Sequence, residues 1–142
     1  MIKYPLSFFA RASATSGIQS RWSVESQNIL GQCAVPPEFE GPGGAFSPED
    51  LFAQALTSCF VATLKVYAEK SKIYFSQLNV TTELIADLNE VKKPIMKKCV
   101  LHVSIVGCES PDRIKTLAEK AFRSGFIVNS VKTEMAMELH IA

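Results

Sequence analysis

One helix governs what this chain can become. Ser47-Pro48-Glu49-Asp50 is a helix start: Ser47 can cap, Pro48 suits the first helical position, and the two acids complement the positive end of the helix dipole. From there to about Lys70, Leu51, Phe52, Ala55, Leu56, Cys59, Phe60, Thr63, Leu64 and Tyr67 cover most of the circumference. A helix apolar on nearly all sides belongs in an interior, not on a surface. Lys65, Glu69, Lys70 and Lys72 leave only its C-terminal end to water.

The flanking sequence supplies strands to cover it. Tyr4, Leu6, Phe8, Ala10 and Ala12 alternate over residues 4–13, which predicts a first strand. Arg21–Ser26, with Trp22 and Val24, and Ile29–Val35 continue as short strands of an antiparallel meander, with a turn at Asn28. The run from Pro36 to Gly44 is a loop, because proline removes donors and glycine resists ordering. Beyond the helix, Leu78 to Leu88 and Leu101 to Ile105 keep a period of two on either side of a polar connection at 89–94, predicting a hairpin. Ser110-Pro111-Asp112 repeats the helix-start pattern, burying Ile114, Leu117, Ala118, Ala121 and Phe122, and Gly125 fits its stop. A last strand turns Val131, Thr133, Met135, Met137, Leu139 and Ile141 inward. This order is α+β and lacks the strict βαβα alternation of a doubly wound sheet. At 142 residues it fits a single domain, 1–142.

Charge narrows the function classes. Fifteen basic and 14 acidic residues leave a net +1, and no Lys/Arg cluster is interleaved with aromatics, so neither nucleic acid nor an anionic membrane is expected as partner. No stretch reaches about 18 consecutive apolar residues, and the N-terminus has no secretory apolar core, which points to a cytoplasmic protein. Cys33, Cys59, Cys99 and Cys108 form no CxxC pair, and with only His102 and His140 beside them no metal site is expected. Both histidines lie on the polar phase of their strands.

The segment Phe39 to Phe60 carries the strongest signal. A Gly-rich loop, a Pro-Glu helix start, a small-residue stretch and Ser-Cys-Phe follow one another. In that order and spacing they resemble the central motif of the OsmC/Ohr family of thiol peroxidases. The resemblance implies antiparallel sheets wrapped around a long buried central helix, in an intertwined homodimer with its sites at the subunit interface. It also implies an enzyme that reduces small hydrophobic peroxides with an external thiol reductant and no metal or organic cofactor.

By the same resemblance Cys59 is the peroxidatic nucleophile, whose thiolate attacks the O–O bond to leave a sulfenic acid. An ordinary thiol is mostly protonated at neutral pH, so a cation has to favour the anion. The helix dipole has faded by Cys59, more than two turns from Ser47. Position alone is also explained by a small core residue, a frequent fate of a free cysteine on a buried helix. Glu49 matches the glutamate that orients the family's arginine, and is also explained as a first-turn acid. The arginine itself is unmatched: Glu38 stands at one of its family positions and Ile18 or a neighbour at the other. Arg21 is the nearest substitute as thiolate stabiliser, ahead of Arg11, and is also explained as an exposed strand charge. The family's resolving cysteine is unmatched too, and Gly125 stands in its place. Cys33, Cys99 or Cys108, or an external thiol, would have to act instead. Two functions follow: a thiol-dependent peroxidase for organic hydroperoxides built on Cys59, Glu49 and Arg21, or a non-catalytic dimer of the same fold that binds an apolar small molecule.

Overall fold

The structure, a computed structural model, describes residues 2–142. The backbone falls into two compact units, one ending at Leu51 and one spanning Phe52–Ala142.

The first unit holds an antiparallel meander of β1 (Arg11–Ser13), β2 (Trp22–Ser26) and β3 (Ile29–Cys33). Gln27 and Asn28 form the two-residue turn between β2 and β3, both with positive φ (53° and 63°), which matches the right-handed twist of the strands it joins. The first strand is much shorter than the alternation over 4–13 predicts. Its ladder stops at the Arg11–Glu25 pair, where an ion pair of 2.7 Å crosses the strands. Among the described residues no strand forms over 5–10, and Phe8 and Phe9 stand 80% and 82% exposed. Period-two patterning makes a strand only where a second backbone supplies its hydrogen bonds.

The Pro/Gly-rich loop folds as expected without helix or strand, apart from one 3-10 turn at Pro37–Phe39. It ends at Ser47, whose Oγ accepts from the Asp50 N–H (3.0 Å) while Asp50 Oδ2 accepts from the Ser47 N–H (2.9 Å). This reciprocal cap satisfies two orphan donors and starts helix α1 (Pro48–Lys70) where the sequence places it.

The second unit carries β4 (Gln77–Leu88), β5 (Pro94–Val106), α2 (Pro111–Ser124) and β6 (Glu134–Ile141). β4 and β5 form the predicted long hairpin. β6 pairs parallel to β5, so this sheet is mixed, correcting the expectation of purely antiparallel sheets. The reason is α2: a helical crossover carries the chain back along the sheet before the next strand begins. The N-terminus of α2 also differs from expectation, since Ser110 makes no side-chain cap although it repeats the Ser-Pro-acid pattern.

Packing is one-sided. Leu56, Phe60, Leu64 and Ala68, spaced by four along α1, join Cys99, Leu101, Val103 and Ile105 of β5 and Ile114, Ala118 and Ala121 of α2 in one core cluster. The opposite face of the sheet carries His102, Glu138 and His140 to solvent, with His102 Nδ1 2.9 Å from Glu138 Oε2, as the polar phase predicts. α1 is sealed along this stripe only: Val66 and Leu51 remain exposed. A single sheet face covers one side of a cylinder, so a helix apolar all round keeps uncovered surface in one chain. By length and composition alone α1 is also apolar enough to cross a membrane, a test that core helices pass as well.

A hydroxyl pair fixes α1 on β4. Thr57 donates to the Ala53 carbonyl (2.7 Å), so in its 2.6 Å contact with Thr82 it is Thr82 that donates. Thr82→Val removes that donor at nearly constant volume and is expected to lower stability by about 1 kcal/mol in urea denaturation.

Candidate active site

Cys59 lies near the middle of α1, three residues past Leu56 and one before Phe60, both fully buried. The angular step of about 100° per residue puts its side chain beside that sealed stripe and not within it, and it is accordingly half-buried with a free thiol. What it faces is the C-terminal end of α2. A Cβ built on Gly125 would fall on Cys59 Sγ, 3.8 Å from Cys59 Cβ and 3.4 Å from Thr63 Oγ1. Thr63, one turn on from Cys59, donates its hydroxyl to the Cys59 carbonyl at 2.7 Å, which fixes its oxygen on the same side.

This changes the reading of Gly125. It does follow the helix as its stop, yet its φ of −72° and ψ of 148° are open to any residue. With glycine here, the Cys59 sulfur takes the space a side chain would fill, and any larger residue makes the Cys59 side chain turn away. Sequence reasoning missed this contact. The available signal was that Gly125 occupies the position where the resembled family carries a cysteine.

The other cysteines separate by burial. Cys33 on β3 and Cys99 on β5 are 1% and 0% exposed, and burial pushes both thiols up from their ordinary range. They stay protonated and shielded at neutral pH, as core residues do. Cys108 is half-buried in the link between β5 and α2.

Glu49 and Arg21 both belong to the unit ending at Leu51, and no ion pair joins them among the described residues. Arg21 reaches the Gly-rich loop instead: its Nη2 donates to the Gly43 carbonyl at 3.5 Å, and its guanidinium lies against Gly44, where a Cβ would strike it. Gly43 and Gly44 adopt φ of 62° and 74°, left-handed backbone that favours glycine, and at Gly44 the missing side chain leaves room for the arginine. Ile18 is exposed. Glu49 takes no part in the reciprocal cap between Ser47 and Asp50. Its Oε1 is enclosed and has no hydrogen-bond partner among the described residues. A shielded carboxylate oxygen of this kind asks for a donor, by preference a cation. No group of three or more metal-ligating side chains occurs among the described residues.

Comparison with known proteins places these features in a family context. The sequence model of the family described as OsmC-like protein matches residues 41–140. An uncharacterized protein of Acinetobacter baylyi is 31% identical over 115 residues, covering 80% of this chain and 78% of its own length. An organic hydroperoxide resistance protein of Xanthomonas axonopodis pv. citri is 23% identical over 136 residues, covering 95% and 94%. Among solved structures, an OsmC-like protein of unknown function from Vibrio cholerae superposes with a TM-score of 0.83 at 19% identity, over 95% of this chain and 99% of its own, a likeness of fold.

Proposed function

Because this chain belongs to the OsmC-like family, we propose that it is a thiol-dependent peroxidase that reduces organic hydroperoxides through Cys59. The observation that carries this reading is the contrast among the thiols of one chain. Cys33 and Cys99 are sealed and held protonated, whereas Cys59 is half-buried on the central helix within the matched segment. In the reaction the Cys59 thiolate attacks one peroxide oxygen, the O–O bond breaks, and the alcohol leaves as the sulfur becomes a sulfenic acid. The name of the Xanthomonas relative supports an organic hydroperoxide as substrate.

In this reading Glu49 is the orienting acid, and its unsatisfied Oε1 marks where a cationic donor belongs. Arg21 fills that role by leaving the Gly43 carbonyl, to which it makes a weak bond of 3.5 Å in the loop. The working protein is a homodimer, in which a second copy covers apolar surface that one chain leaves open, including Val66 and Leu51 on α1 and Ile29 and Leu30 on β3. Four free thiols suit a reducing compartment such as the cytoplasm. A second reading, a non-catalytic dimer holding an apolar small molecule, is favoured by the absence of an Arg21–Glu49 ion pair among the described residues.

Adding one equivalent of cumene hydroperoxide to the reduced protein separates the two. The peroxidase consumes it stoichiometrically and releases cumyl alcohol within seconds to minutes. A binding protein leaves the peroxide intact beyond the rate of a simple thiol, and that result would end the enzymatic proposal. Light scattering in the same buffer is expected to give twice the mass of one chain, and a monomer would remove the dimer from the account.

A further inference from the structure

We infer that the reaction runs on one cysteine: oxidised Cys59 is resolved by a small external monothiol through a mixed disulfide, with no bridge to a second cysteine of the protein. The inference rests on the peroxidase reading above and specifies its reductant class.

Three observations carry it. First, Gly125 lies against the Cys59 sulfur and has no side chain to offer. Second, Cys108 lies at the far end of α2. Gly125 follows the last residue of α2 and Cys108 precedes its first, Pro111. A helix of this length spans about 20 Å at about 1.5 Å per residue. A disulfide needs its two Cα atoms within about 7 Å, so Cys108 and Cys59 of one chain cannot bridge in this fold. Third, Cys33 and Cys99 are sealed in the interior, with burial favouring the unreactive protonated form.

The steps balance without a second protein thiol. The Cys59 thiolate takes one oxygen from the hydroperoxide and the alcohol departs. An external thiol then attacks the sulfenic sulfur, forming an S–S bond and releasing water. A second external thiol attacks the mixed disulfide and frees Cys59, leaving the oxidised small disulfide; its two electrons are those given to the peroxide.

The test is peptide mass mapping of the native chain after one equivalent of cumene hydroperoxide, with and without β-mercaptoethanol. Without the thiol, dimedone is expected to label Cys59 once per chain while Cys33, Cys99 and Cys108 stay alkylatable. With it, the label is replaced by a β-mercaptoethanol adduct on Cys59 that excess thiol clears. A disulfide from Cys59 to any protein cysteine, of the same or another chain, would overturn the one-cysteine route and leave the peroxidase reading standing. A Cys59 that is never oxidised would overturn both.

Discussion

Gly125→Cys is expected to produce an intramolecular disulfide with Cys59 on mild oxidation. The Cβ position at residue 125 lies 3.8 Å from Cys59 Cβ, and bridged cysteines have a mean separation of about 3.8 Å. The new Cβ falls on the present place of Sγ, so the Cys59 side chain has to turn before the two sulfurs meet. That overlap makes the reduced variant less stable than the native chain by about 1–3 kcal/mol. Closing the bridge then cross-links a loop of roughly 65 residues between positions 59 and 125, worth about 4 kcal/mol over the reduced form on chain entropy. The expected observations are a mass lower by two hydrogens after one equivalent of peroxide, and a melting temperature that falls sharply on reduction. If both thiols stay free after oxidation, the described packing of α1 on the end of α2 is wrong. The same variant would shift reductant preference from monothiols toward dithiols, since an internal disulfide becomes the species to be cleared.

Cys59→Ser should have the largest effect on activity. Oxygen replaces sulfur at similar size in a half-buried position, so the fold is retained within about 1 kcal/mol. The hydroxyl, however, does not ionise at neutral pH and cannot take up a peroxide oxygen. Loss of a sole nucleophile typically costs a factor of about 10³ or more. Hydroperoxide consumption is therefore expected to fall to background in Cys59→Ser, with its urea midpoint nearly unchanged. Cys108→Ser, altered at the opposite end of α2, should keep native turnover. Equal losses in the two variants would point to a structural cause and remove the special role of Cys59.

Much of the fold was legible because local chemistry and tertiary demand agree. Ser47-Pro48-Glu49-Asp50 starts α1 where its cap and dipole logic predict. The alternations in β4, β5 and β6 sort core from solvent faces, as Leu101 and Val103 against His102 show. Misreadings arose where the deciding partner is distant in sequence. Leu6, Phe8 and Ala10 alternate like a strand, but nothing in the pattern reveals that the ladder begins only at Arg11. The parallel sense of β6 depends on how α2 crosses the sheet. Gly125 looked like a conformational stop because its contact with Cys59 joins residues 66 positions apart.

The candidate site divides in the same way. Cys59 and Glu49 are candidates from the motif, which places both on α1 in fixed spacing. Arg21 was chosen only as the nearest cation in sequence, and its guanidinium lies on the Gly-rich loop, unpaired with Glu49. A side chain as long as arginine has reach enough for several destinations, which spacing does not resolve. The unsatisfied Glu49 oxygen could be seen only once burial was known.

Mass mapping of the native chain at successive times after one equivalent of cumene hydroperoxide tests the central claim most directly, because it compares Cys59 with Cys108, the other half-buried thiol, in the same molecules. The account predicts that Cys59 is oxidised to near completion while Cys108 remains reduced. Oxidation of the two at equal rates, or a Cys59 left untouched, would contradict it.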